Sequence, residues 1–243
     1  MSKRSEEVLK ENRLNFDGNF KLLGRADVSK IKALVNQLTP QHWVADQSRQ
    51  ERYNVHKDTQ SIGLVYDLDF RHMNPTQHPA LQMFGQAISP ILSLIADHYD
   101  NTSIGKAMAE KYGQGYCIRA NLVRLNPKGE IDPHQDKNFS LAHSHRIHIP
   151  IITNPQVKFT VGDETRCLQE GEIVEINNRR EHAVKNESGG ERVHLIFDWV
   201  IPGEPCCCAL SKHQEEMCNP TLCEDTSLMR VPCECYPINS SIQ

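Results

Sequence analysis

The sequence predicts a mainly β fold with flanking helices, its strands closed into a jelly roll, and two observations carry that reading. From Tyr116 onward the apolar pattern switches to a period of two, as in Cys117-Ile118-Arg119-Ala120-Asn121-Leu122-Val123-Arg124-Leu125. Further short strands then follow one another, separated by turn residues and with no helix between them, which implies an antiparallel sheet system that must close on itself.

Taken in order, residues 1–15 are polar and are expected to be a flexible N-terminus. Phe20-Lys21-Leu22-Leu23-Gly24 reads as a short strand, and Asp27 as the N-cap of a helix carrying Ile31, Leu34, Val35 and Leu38 at helical spacing, with Pro40 marking its stop. A second helix is predicted from Leu81 to about Tyr99, with Met83, Ile88, Ile91, Leu92 and Ile95 on its apolar face despite Pro90. Both belong to a helical buttress over 16–115. The strand from Tyr116 ends at the turn Asn126-Pro127-Lys128-Gly129, and others are expected at 145–153, 157–161, 172–176 and 192–200. These make a β core over 116–202. A sharp change of composition near Gly203 separates a single domain, 16–202, from a Cys-rich tail, 203–243.

Of nine cysteines, only Cys117 and Cys167 fall in the core; Cys206, Cys207, Cys208, Cys218, Cys223, Cys233 and Cys235 crowd the tail. Their spacing lacks the paired C-x2-C of structural zinc, so a thiol-rich flexible tail is expected, with metal binding or acylation as lesser alternatives. The chain shows no apolar signal segment and no membrane-length apolar run, which points to a cytoplasmic protein with reduced thiols. A net charge of -4 gives no basic footprint for nucleic acid or an anionic membrane, and neither is expected as a partner. Oligomeric state is not legible.

Chemistry concentrates in Asp132-Pro133-His134-Gln135-Asp136 and the distant His182. Residues i and i+2 of a strand share a face, so His134 and Asp136 can reach one metal together, and His182 completes a two-histidine, one-carboxylate set of the kind that holds non-haem Fe(II) with open positions. Each piece alone is ordinary: a short H-x-D usually sits in a solvated turn and a lone histidine in a loop. Arg192 begins a strand whose one face carries Arg192, His194 and Ile196; facing inward, its planar fork would suit a dicarboxylate. Arg146 and His148 share a face in the same way and could neutralise a second carboxylate or orient a metal ligand. Arg124 or His194 could meet a substrate carboxylate, though packing within the sheet is the plainer role.

Val123-Arg124-Leu125, Asp132-Pro133-His134-Gln135-Asp136, Arg146-Ile147-His148-Ile149-Pro150-Ile151, Glu170-Gly171-Glu172, Asn177-Asn178, His182-Ala183-Val184 and Arg192-Val193-His194-Leu195-Ile196, in that order, resemble the aspartyl/asparaginyl beta-hydroxylase family over roughly 116–200. The resemblance implies a double-stranded beta-helix of cupin-like form that uses Fe(II), 2-oxoglutarate and O2 to hydroxylate an amino acid or an amino-acid residue of a peptide or protein. It makes His134, Asp136 and His182 the iron ligands, Arg192 the partner of the distal carboxylate of 2-oxoglutarate, and Arg146 and His148 neighbours of the carboxylate beside the keto group. Some animal members lack the carboxylate ligand, whereas Asp136 is present here, as in bacterial amino-acid and peptide hydroxylases. Its presence also argues against halogenation. The competing expectation is a non-catalytic cupin-like protein that binds or senses a metal or small acid.

Overall fold

The computed structural model describes residues 16, 18–45, 54–136, 139–204 and 228–231. In chain order the elements are β1 (Phe20–Arg25), α1 (Ser29–Val35), α2 (Pro40–Val44), β2 (Thr59–Asp67), β3 (Pro75–Gln77), α3 (Leu81–Asp100), α4 (Ser103–Tyr112), β4 (Tyr116–Leu125), β5 (Glu130–His134), α5 (Phe139–Ala142), β6 (His145–Ile152), β7 (Val157–Val161), β8 (Glu164–Arg166), β9 (Glu172–Ile176), β10 (His182–Asn186) and β11 (Arg192–Val200). The strands make a seven-stranded sheet, order β1-β9-β6-β11-β4-β2-β3, and a four-stranded sheet, order β5-β10-β7-β8. This is the expected jelly roll with flanking helices.

Two apolar cores hold it together. Between the sheets lie Phe20, Leu125, Val174 and Ile176 from the larger and Ile131, Val157, Phe159, Val161 and Val184 from the smaller. On the outer face of the larger sheet, Ile147, Ile149 and Ile151 of β6 and Val193, Leu195 and Phe197 of β11 pack against α1 and α3. Alternation along a strand therefore sends the intervening residues, Arg146 and His148 of β6 and Arg192, His194, Ile196 and Asp198 of β11, to the inner face. That division carries the polar groups into the barrel. At the turn into β9, Gly171 has φ 78°, and a Cβ there would lie 2.4 Å from the Ala26 carbonyl oxygen, so the turn that binds β1 to β9 needs glycine.

Several boundaries differ from the sequence reading. Helix α1 stops at Val35, before Leu38, and Pro40 opens α2 at the first-turn position where its missing N–H costs nothing. The Asp27 carboxylate accepts the Ser29 N–H at 2.9 Å, a capping contact, while Val28 occupies the N-cap itself. Helix α3 matches expectation, but its buried face is Phe84, Ile88, Ile91, Ile95 and Tyr99, and Met83 is 48% exposed. The buttress also contains α4 and the strands β2 and β3. Residues 1–15 and all the tail cysteines lie outside the described residues, but residues 228–231 lie against the body: Met229 is buried and the Arg230 N–H donates to the Arg71 carbonyl at 3.1 Å.

Candidate metal centre

Strand β5 ends at His134, and Asp136 lies two residues beyond it, so the pair is not held by one strand as its spacing suggested. The register does more. His134 of β5 is opposite His182, the first residue of β10, which brings the distant histidine to the same end of the small sheet. The ligand atoms of His134, Asp136 and His182 lie within 4.8 Å of one another, with His182 Nε2 3.7 Å from Asp136 Oδ2. Among the described residues this is the one His/Cys/Asp/Glu group so arranged.

The local hydrogen bonds fit a divalent metal. His134 Nδ1 donates to the Asp132 carbonyl at 2.8 Å, and His182 Nδ1 donates to the Arg180 carbonyl at 3.0 Å. A proton fixed on each Nδ1 leaves each Nε2 lone pair for a metal. Burial lowers the His182 pKa, with Asp136 opposing, and so favours the neutral, ligating form. Asp136 Oδ2 accepts Arg146 Nη1 at 2.8 Å and Asn178 Nδ2 at 3.4 Å. Asn178 also donates to the Leu141 carbonyl at 3.0 Å, tying α5 to the carboxylate.

Deeper in the barrel, Arg192 is 1% exposed, donates through Nη2 to His194 Nδ1 at 2.6 Å, and lies over the Phe159 ring at 5.9 Å. Because His194 Nδ1 accepts from a permanent cation, His148 must be the donor in the 3.4 Å contact between the two Nδ1 atoms. Burial, reinforced by Arg192, holds both histidines well below the ordinary range and therefore neutral. His148 Nε2 and His194 Nε2 are buried with no hydrogen-bond partner among the described residues.

Residues 106–202 match the family model described as aspartyl/asparaginyl beta-hydroxylase. The segment is similar to that family. A 2OG-Fe(II) oxygenase family oxidoreductase from Burkholderia pseudomallei shares the fold at 13% identity and a TM-score of 0.50, over 78% of this chain and 82% of that one. A collagen prolyl hydroxylase of Paramecium Bursaria Chlorella virus-1 aligns at 7% identity and a TM-score of 0.44, over 75% and 95% of the two chains. No curated protein sequence matches the chain.

Of the residues singled out in the sequence, His134, Asp136 and His182 converge, and Arg146, His148 and Arg192 share the inner face of the larger sheet. Arg146 is engaged more fully than its spacing revealed, because Nε and Nη2 grip both oxygens of Asp198 at 2.8 and 2.9 Å while Nη1 holds Asp136. Arg124 lies on the outer face, over the Trp43 ring at 4.6 Å and bonded to Gln60, so it packs the sheet. Asp198 and Asn178, which contact Arg146 and Asp136, are not among the site residues read from the sequence. Alternation from Arg192 to Asp198 is the signal that points to Asp198; Asn178 has only its place in the Asn177-Asn178 pair of the family resemblance.

Proposed function

We propose that His134, Asp136 and His182 hold the iron, that Arg192 and His148 hold 2-oxoglutarate, and that the enzyme hydroxylates a C–H bond of an amino acid, free or within a peptide. The supporting observation is the convergence of two Nε2 lone pairs and a carboxylate at the barrel end, above a buried guanidinium. With Fe(II) held there, O2 would be the oxidant: one of its oxygen atoms would go into the C–H bond and the other into succinate, as 2-oxoglutarate supplies two electrons and loses carbon dioxide.

The chain's own residues supply geometry. Asp132 and Arg180 carbonyls aim the imidazoles, Arg146 and Asn178 aim the carboxylate, and the neutral His148 and His194 keep the barrel floor from accumulating charge around Arg192. Arg192 provides a forked donor suited to a carboxylate. Residues 16–202 form the catalytic domain in this reading. Cys117 and Cys167 are free thiols, in keeping with a cytoplasmic setting.

Purified protein with Fe(II), 2-oxoglutarate and panels of amino acids and peptides is expected to form succinate and a product heavier by one oxygen atom. His134→Ala and Asp136→Ala are expected to abolish both. Normal turnover by either variant would refute the ligand assignment.

A further inference from the structure

Strand β2 runs into Asp67-Leu68-Asp69-Phe70-Arg71-His72, a short loop from which β3 returns along β2. Phe70 and His72 have φ values of 56° and 58°, a left-handed conformation that residues other than glycine seldom take. Two such residues within three positions cost conformational free energy and persist only where surrounding contacts impose them. From inside the loop, the Asp67 carbonyl accepts the Phe70 N–H at 3.3 Å and the Asp67 carboxylate accepts the His72 N–H at 3.3 Å. From outside it, Tyr116 Oη donates to the His72 carbonyl at 2.6 Å.

A further hold comes from far along the chain. The Arg230 N–H donates to the Arg71 carbonyl at 3.1 Å, between the two left-handed residues. Arg230 Cζ lies 5.3 Å from the centre of the Tyr116 ring, so its cation rests on the same tyrosine whose hydroxyl holds His72. Met229 is buried, and it borders a small cavity together with His72, Tyr116, His143 and Val200. One apolar plug, one backbone donor and one cation therefore fix residues 228–231 on the loop.

The loop is in turn joined to the carboxylate of the candidate metal centre. His72 Nε2 donates to the carbonyl of Ser140, in α5, at 2.9 Å. Asn178 donates to the carbonyl of Leu141, also in α5, at 3.0 Å and to Asp136 Oδ2 at 3.4 Å. A continuous series of contacts thus runs from Arg230 through His72 and α5 to Asp136.

We propose that residues 228–231 are a strap that holds the 67–72 loop in its left-handed shape and so positions α5 and Asp136, with the consequence that docking of the strap and binding of the metal favour each other. Such coupling is reciprocal: whatever the strap adds to metal affinity, the metal adds to docking of the strap. The inference rests on the metal-ligand role of Asp136 proposed above. Met229 and Arg230 are positioning residues in it, and neither is one of the ligands.

Hydrogen–deuterium exchange and anaerobic Fe(II) titration of the full chain test it, comparing the wild type with Met229→Asp together with Arg230→Ala, which removes the plug and the cation. Release of the strap should speed exchange about threefold to tenfold at 68–73 and 139–143 as well as at 228–231, and should weaken Fe(II) binding by a similar factor. Met229→Leu together with Arg230→Lys, which keeps both features, should stay close to the wild type. In the wild type, Fe(II) should slow exchange at 228–231. If the first double variant does not fold, Arg230→Ala alone, at an exposed side chain, gives the same comparison with a smaller amplitude. Faster exchange confined to the tail, or an Fe(II) affinity unchanged by release of the strap, would overturn the proposal. A wild type that binds no Fe(II) would instead sink the metal-site reading, and exchange at 68–73 would then judge the strap's hold on the loop by itself.

Discussion

Arg146 carries more of the site than any other single side chain, because one guanidinium serves Asp136 at the metal-binding end and Asp198 within the sheet. Arg146→Gln would leave a buried carboxylate without its partner, for which about 3–5 kcal/mol of stability is the usual cost. The same change releases Asp136, and loss of such an outer support typically weakens metal binding by about tenfold to a hundredfold. Denaturant unfolding and a metal titration on the same variant check both. A second residue-scale expectation concerns His145, clasped between Glu175 at 2.6 Å and Glu204 at 2.7 Å on the helix-covered side. Burial opposes its charged form, but Glu204 and Glu175 outweigh it and push the imidazole up to about 10 from 6.5. A raised folded-state value stabilises fully below pH 6.5, and that contribution declines as pH rises and is gone above about 10. Unfolding curves across this window should show the decline in the wild type and a flatter profile in His145→Asn.

At the scale of elements, the candidate metal centre is a product of register. His182 meets His134 because β10 pairs antiparallel with β5, and a slip of one residue would turn either imidazole to the opposite face. Helix α3 plays the complementary part, pressing Ile88, Ile91 and Ile95 onto the back of the sheet that carries the arginines. Ile95→Ala is expected to cost about 2–5 kcal/mol through the cavity it leaves, read by denaturant unfolding, with little effect on metal affinity because the site is on the other face. The long, regular elements were legible in sequence: α3 through its 3.6-residue pattern, and β4, β7, β9 and β11 through alternation or a continuous apolar run between turns. The short strands β5 and β10 were not, because Glu130–His134 and His182–Asn186 are mixed in polarity and derive their pairing from each other. Pro40 was legible as a breaker, but its sign was ambiguous, since proline also starts helices.

For the whole molecule, alternation along β6 and β11 separates two chemistries, sending Ile147, Ile149, Ile151, Val193, Leu195 and Phe197 outward to the helices and Arg146, His148, Arg192, His194 and Asp198 inward. Order and spacing alone single out His134, Asp136, His182 and Arg192, whereas the contacts of Asp198 with Arg146 and Arg119 depend on which strands are neighbours. No helix among the described residues is long and apolar enough to cross a membrane. Met229, packed against the body beside the Arg230 contact, ties part of the tail to the domain, so Met229→Ala should lower the unfolding midpoint modestly, a change that thermal unfolding would detect.

The central claim is that three side chains from β5, the segment after it and β10 make one iron site. Anaerobic Fe(II) titration of the wild type and of His134→Ala, Asp136→Ala and His182→Ala measures it directly. One tightly bound iron per chain, sharply weakened in all three variants, is the expected result; an unchanged stoichiometry and affinity in any of them would contradict it.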